Sequence, residues 1–270
     1  MRFETAMLVF RKDWTEMKRN WQVLMPILIV PLMFSVVLPL LTLFVPSISS
    51  MPGDTLSDVQ AMLDNLPQQI RAELAQMSDM QVLIYVMSVY FFAPFFLIIP
   101  IMASSVIASD SFAGEKERKT IEALLATPIS DSELMFGKML VSFLPALAIT
   151  VISFAVYAAV VDLVAFRYFG RLLLPNANWL LLIFGLSPAV SLASIGLTVI
   201  ISAKVKGFRE AQQISVLLLL PVLGLLFAQV SGALIFGPAV IGTLIAIFIV
   251  VDLIMFKIGV SIFRREEILA

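Results

Sequence analysis

The sequence predicts an all-α, polytopic membrane protein with six transmembrane helices and an amphipathic helix before the first of them. Three observations support this prediction: the apolar composition, six long hydrophobic stretches and the placement of lysine and arginine. Of the 270 residues, 60% are hydrophobic and 14% are charged, and the mean hydropathy is +1.02. Soluble domains carry about 25% charged residues. A soluble domain of this length could not bury so much apolar surface, so lipid must solvate most of the chain.

The six apolar stretches are each long enough to cross the ~30 Å of hydrocarbon as a helix. We place the spans at residues 22–45, 82–109, 139–163, 179–203, 212–230 and 238–262. The first stretch is too long to be the hydrophobic core of a cleavable signal peptide, and we interpret it as a retained signal anchor.

Lysine and arginine are distributed unequally between the two sides of this topology. Only Arg71, Arg167 and Arg171 fall on the side opposite the N-terminus, and the other 15 of the 18 basic residues share the N-terminal side. Because cytoplasmic loops carry the excess of basic residues, both termini are predicted to be cytoplasmic. A seven-span topology would remove this asymmetry.

Two residue types are absent, which narrows the possible chemistry. The chain contains no cysteine and no histidine. Disulfides and thiol catalysis are therefore excluded, and the usual general base and transition-metal ligand are missing. We expect no catalytic site, no metal and no cofactor in this chain. The net charge of −1 gives no indication of nucleic-acid binding.

Residues 1–21 are predicted to form a cytoplasmic amphipathic helix at the membrane interface. Spacings of three and four place one set of apolar residues on a single helical face: Phe3, Met7, Phe10, Trp14, Met17 and Trp21. Such a helix lies in the headgroup layer with its basic residues near anionic lipid. The alternative is that this segment is the start of a long first span. A break at Asn20 favours the separate helix.

Three further features have both a structural and a functional interpretation. The outer loop 46–80 has amphipathic spacing and is predicted to rest on the outer membrane face or to cap the bundle. A small-residue face in the fourth span either packs on a neighbour or lines a polar path: Ser187, Ser191, Ser194 and Thr198. Ionisable residues near span ends are either interfacial, with snorkelling side chains, or functional: Asp162, Asp252 and Lys257.

The segment from Gly114 to Pro128, GEKERKTIEALLATP, is a dense group of charges between two apolar stretches. Ile121, Leu124 and Leu125 share one face of a short helix that Pro128 ends, because the residue before a proline avoids the α conformation. Ser130 and Glu133 then form a capping-box pattern that begins the next helix. We interpret the short helix as a docking element on the membrane surface. The alternative is an interfacial loop whose aliphatic side chains enter the lipid.

The run EKERKTIEALLATPIS from Glu115 to Ser130, followed by Gly137-Lys138, resembles the signature of the permeases of type-2 ATP-binding-cassette (ABC) exporters. The signature is E-x-E-x-x-T-[LI]-E-x-L-L-x-[ST]-P-[VI]-S after the second span, with Gly-Lys opening the third. The family often has glycine before the threonine, where this chain has Lys119. The six-span layout and the amphipathic N-terminal helix also agree with the family.

The resemblance implies a permease subunit of an ABC exporter in the plasma (inner) membrane of a prokaryote. Two permease chains, identical or homologous, would pair with two copies of an ATPase subunit that holds ATP and Mg²⁺. This chain has no G-x-x-x-x-G-K-[ST] loop of its own. The cytoplasmic coupling segment would be 110–138, and its coupling helix would transmit the ATPase motion. The implied ATPase-coupling residues are Glu115, Glu117, Arg118, Thr120, Ile121, Glu122, Leu124, Leu125 and Pro128.

These expectations divide the chain into the helix 1–21, a six-span domain 22–263 and a cytoplasmic tail 264–270. The transported substrate is not specified by any residue pattern.

Two other function classes remain as alternatives. An intramembrane enzyme is disfavoured by the missing His and Cys. An ATP-independent secondary transporter or channel lacks an inverted repeat and midplane charges, and it leaves the charged segment unexplained.

Overall fold

A computed structural model of the chain describes residues 3–41, 43, 74–120, 129–231, 234 and 236–262. Every regular element within these residues is helical, which confirms the all-α prediction. The seven helices are α1 (Phe3–Met17), α2 (Trp21–Leu41), α3 (Asp79–Glu117), α4 (Asp131–Phe169), α5 (Ala177–Lys204), α6 (Phe208–Gln229) and α7 (Pro238–Ile262). Six of them, α2 to α7, are long and apolar enough to cross a membrane, which confirms the predicted number of spans.

Helices α3 and α4 extend well beyond the predicted spans 82–109 and 139–163. Each continues as a helix through the polar residues that follow or precede its apolar stretch, so the hydrophobic run underestimates helix length. Three predicted features lie outside the described residues: most of the outer loop 46–80, the segment Ile121 to Pro128, and the tail 264–270.

The most apolar stretch of the helix is 72% buried in α3 and 61% buried in α5, whereas it is 6% buried in α7. The centre of the bundle is therefore formed by α3 and α5. The small-residue face of α5 lies in this centre. Ser187, Ser191, Ser194 and Thr198 are all buried, and the Ser194 hydroxyl donates to the Ile101 carbonyl of α3 at 3.2 Å. This arrangement supports packing as the role of the face.

Helix α3 is broken in its N-terminal half by a π-helical turn, Met87–Phe91, followed by Pro94. Proline has no N–H to donate to the carbonyl four residues earlier, so the Tyr90 carbonyl needs another donor. Gln229 of α6 supplies it through Nε2 at 2.8 Å. Neighbouring backbone carbonyls of α3 accept hydrogen bonds from the Tyr157 hydroxyl of α4 and from the Trp179 indole N–H of α5. Three spans therefore satisfy the backbone of one broken helix.

This arrangement predicts an energetic coupling between Gln229 and Pro94. The Gln229→Met variant should lower the melting temperature by roughly 2–4 °C, because a buried carbonyl then loses its donor at a cost of about 1 kcal/mol. In a Pro94→Ala background the restored N–H can donate to the Tyr90 carbonyl. Gln229→Met should then lower the melting temperature by less than it does in the parent protein. Thermal melts of the four proteins in detergent measure the coupling. Equal losses in both backgrounds would contradict this assignment.

Candidate functional site

The N-terminal helix α1 packs against the beginning of α4. Its buried face is formed by Ala6, Val9, Asp13 and Met17, whose spacings of three and four place them on one side. Gly137 of α4 makes the close approach possible, because a Cβ there would lie 2.6 Å from the Ala6 carbonyl oxygen. A turn separates α1 from α2, and the Asn20 side chain caps α2 by accepting from Gln22 N at 3.1 Å. The predicted break at Asn20 is confirmed.

A network of buried charges lies between α1, the end of α3 and the beginning of α4. Lys138 is completely buried, and its Nζ contacts Glu115 Oε2 at 2.6 Å, Asp13 Oδ2 at 3.1 Å and the Ser111 carbonyl oxygen at 2.6 Å. The Lys12 ammonium group donates to the other oxygen of Glu115 and also contacts Asp13. We call Lys12, Asp13, Ser111, Glu115 and Lys138 the charge network. These five residues include two cations and two anions, and Glu16 also contacts Lys12 at 3.5 Å.

The contacts of the network favour the charged forms of Asp13 and Lys12. Burial alone would raise the pKa of Asp13, but the Lys138 charge and a 2.6 Å hydrogen bond from Ser111 hold it below the usual value. Burial would lower the pKa of Lys12, but its hydrogen bond to Glu115 and the surrounding carboxylates raise it. The carboxylates of Asp13, Glu16 and Glu115 lie close enough to hold a cation. Lys12 and Lys138 already supply that positive charge, so the arrangement is a set of ion pairs.

A second group of contacts joins the end of α3 to the turn between α1 and α2. The Arg118 guanidinium donates to Asp110 Oδ1 at 3.0 Å, and Asn20 Nδ2 donates to the same oxygen at 3.0 Å. Burial opposes the charge on Arg118, but its hydrogen bond to Asp110 raises its pKa. Asn20 therefore caps α2 and also fixes the position of α3.

A third group of contacts reaches the short turn between α5 and α6. Glu117 Oε2 accepts from the Phe208 amide at 2.9 Å, at the beginning of α6. Gly207 allows this approach, since a Cβ there would lie 2.5 Å from the same carboxylate oxygen. Lys116 Nζ donates to the Ala203 carbonyl at 3.2 Å near the end of α5. These contacts connect the last turn of α3 to two further spans.

Helix α3 ends in a Schellman motif at Lys119, which has a φ of +56°. The Thr120 amide donates to the Glu115 carbonyl at 3.0 Å, and the Lys119 amide donates to the Lys116 carbonyl at 3.2 Å. The left-handed residue of this motif is usually glycine, because a Cβ is strained there. The position that often holds glycine in type-2 permeases is thus the one that needs a positive φ.

The structure describes Glu115, Glu117, Arg118 and Thr120 among the predicted coupling residues. The first three direct their side chains toward this chain's own helices, and the Thr120 hydroxyl bonds the Glu115 carbonyl at 3.3 Å. The other five lie outside the described residues: Ile121, Glu122, Leu124, Leu125 and Pro128.

Sequence analysis did not identify Asp13, Lys12, Asp110 or Ser111, and it placed Lys12 among lipid-facing cations. The only available signal was an aspartate within the small-residue face of α1.

The fit between α1 and Gly137 can be tested by cysteine labelling, because the chain has no natural cysteine. A cysteine placed at the buried Val9 should react slowly with a maleimide. Adding Gly137→Val should raise the labelling rate roughly tenfold or more, because overpacking costs about 1–3 kcal/mol and releases α1. Gly224→Val is the matched control, since a Cβ there meets nothing within 4 Å. An unchanged rate in the Gly137→Val protein would show that α1 does not depend on this contact.

The charge network and its connections fall within one region of family similarity. A family model described as ABC-2 family transporter protein matches residues 7–242, from α1 into α7. Comparison with curated proteins finds no match. Since the family match spans most of the chain and includes every member of the charge network, the protein is a multi-pass membrane permease that belongs to the ABC-2 family of transporter proteins.

Proposed function

We propose that this chain is the membrane-spanning permease subunit of an ABC exporter, moving its substrate outward across a prokaryotic plasma membrane. ATP would be hydrolysed by a separate ATPase subunit, present in two copies, and a second permease chain would complete the complex. The observation that carries the proposal is the set of contacts at the last turn of α3. This turn directly precedes the segment that resembles a coupling helix, and it is bound to four other helices.

These contacts make the end of α3 suitable for transmitting force. Glu115 is tied to α1 and α4, Arg118 to the α1–α2 turn through Asp110, and Glu117 to the beginning of α6. Separating a buried ion pair leaves charges without partners, which costs several kcal/mol. A push on the coupling helix therefore moves these helices together rather than bending the loop. In this proposal the apolar residues Ile121, Leu124 and Leu125 contact the ATPase, while the described polar residues pass the motion inward.

The first experiment asks whether an ATPase accompanies the protein. The tagged chain is purified in mild detergent from its native host, and bound subunits are identified by mass spectrometry. We expect an ABC ATPase at one copy per permease chain. Transport by the purified chain alone, in vesicles lacking nucleotide and any other subunit, would instead establish the secondary transporter or channel.

The proposed orientation gives a separate prediction. A reporter fused after Ala270 should be cytoplasmic, because an even number of spans places both termini on the basic side. A paired fluorescent and alkaline-phosphatase fusion reads the location directly. The same pair inserted in the loop 46–80 is the control and should report the outer face. An outward C-terminus would contradict the six-span topology in the membrane.

A further inference from the structure

A lateral crevice of about 290 Å³ lies between the first turns of α4, the middle of α5 and α7. Its inner wall includes Met135, Met139, Leu192 and Gly196. Its outer rim is formed by residues of α7 that are at least half exposed: Ile249, Leu253 and Phe256. In a bilayer this rim faces lipid, so the crevice opens sideways into the hydrocarbon. Its volume is just below the ~300–1,000 Å³ that is typical of small-molecule sites.

Asp252 is the single charged residue among the described residues that line this crevice. Its Oδ1 atom is enclosed, and within the described part of the chain it has no hydrogen-bond partner. No salt bridge joins Asp252 to Lys257 within those residues, in agreement with their unfavourable spacing of five. An enclosed carboxylate oxygen without a partner is costly in a protein. This oxygen is therefore available to a hydrogen-bond donor that enters the crevice.

The depth of Asp252 restricts the partner that it can accept. It lies ten residues before Ile262, the last described residue of α7, and so about 15 Å before that point along the helix. At this depth the headgroups of bilayer lipids are out of reach. Among the described residues that line the crevice none is basic, so none of them would compensate the phosphate of a zwitterionic lipid. The wall is complementary to a single positive charge attached to an apolar body.

We propose that this crevice binds hydrophobic amines in their protonated form, entering from the lipid. The ammonium group donates to the enclosed oxygen of Asp252, and the apolar body lies against Met139, Leu192 and Leu253. The ring of Phe256 at the rim offers a second favourable surface for the cation. This proposal does not depend on the ATPase assignment, because the amine site requires no partner subunit.

Tryptophan quenching tests the site on the full chain in an uncharged detergent. A Phe256→Trp variant places a reporter in the rim, and dodecylamine with a bromine at the end of its tail is the quencher. We expect saturable quenching at neutral pH beyond that of the parent protein. Dodecanol brominated in the same way should need a roughly 10- to 100-fold higher concentration, which is the difference that a hydrogen bond to a charged group provides.

Two variants separate the carboxylate from the apolar wall. Adding Asp252→Asn to the reporter should reduce amine binding to the level of the alcohol, while Asp252→Glu should retain the preference for the amine. Phe166→Trp is the control for general partitioning, since Phe166 is exposed on α4 outside the crevice. The proposal is overturned if the alcohol binds the Phe256→Trp reporter as tightly as the amine. That comparison requires no change at Asp252, so it stands even if the Asp252→Asn variant folds poorly. Equal amine affinity in the reporter protein with and without Asp252→Asn would also overturn it.

Discussion

The Lys138→Met variant is expected to melt about 6–20 °C below the parent protein in detergent. Lys138 is the one fully buried cation of the charge network, and it contacts both Asp13 and Glu115. Methionine fills a similar volume but leaves these carboxylates without their shared ammonium group. Removing one partner from a buried ion pair typically costs 3–5 kcal/mol, which corresponds to this shift for a chain of this size. Differential scanning fluorimetry and the monodisperse fraction on size exclusion measure the loss.

Two controls separate the unpaired charges from the loss of packing. Lys12→Met should lower the melting temperature less, because Lys12 is partly exposed and water can solvate the carboxylates from that side. Combining Lys138→Met with Asp13→Asn and Glu115→Gln should recover part of the stability, since no buried charge then lacks a partner. If the Lys138→Met variant has the same melting temperature as the parent protein, the network does not hold α1 and α3 to α4.

The membrane topology could be predicted from the sequence because it depends on local properties. A run of apolar residues long enough to cross the hydrocarbon signals a helix whatever its neighbours are, and all six spans were found in this way. The C-terminal ends of α3 and α4 were missed, because the polar turns that follow their apolar runs remain helical. The capping box of Ser130 and Glu133 was predicted and is confirmed, since both residues belong to one turn.

The charge network could not be predicted from the sequence because its partners are distant along the chain. Asp13 and Lys138 are separated by 125 positions, and Lys12 and Glu115 by 103. On α1 the aromatic residues predicted an interfacial face, but they gave no indication of the buried face that contains Asp13. Glu115 and Gly137-Lys138 were recognised through the family signature, and the structure shows the contacts that each of these residues makes.

Acidic residues near span ends illustrate the same limit. Asp162 accepts hydrogen bonds from the Leu173 and Leu174 amides at 2.8 and 3.1 Å, so it stabilises the turn that follows α4. Asp252 has no such partner among the described residues and lies in a crevice. The sequence gives both aspartates the same interpretation, because each is a single acid in an apolar helix. Only the positions of the neighbouring helices distinguish a structural carboxylate from an available one.

Replacing Leu124 or Leu125 with aspartate is expected to abolish co-purification of the ATPase while leaving the permease folded. Burying the aliphatic face of Ile121, Leu124 and Leu125 in a partner's groove supplies roughly 5–8 kcal/mol before ordering and desolvation are subtracted. A carboxylate in that groove removes much of this energy and adds the cost of an unpaired buried charge. Binding of the ATPase is measured by quantitative pull-down or by interferometry with purified subunits.

The matched control is Leu172→Asp, because Leu172 is exposed in the turn between α4 and α5, at the opposite end of the bundle from the charge network. It introduces the same charge and should retain the ATPase. The aspartate variants at Leu124 and Leu125 should also keep the parental melting temperature, which separates them from Lys138→Met, where loss of the ATPase would accompany loss of fold. Unchanged ATPase affinity in both variants would show that this apolar face does not dock the ATPase. The polar contacts of Glu115, Glu117 and Arg118 would then serve the permease fold without transmitting motion from a partner.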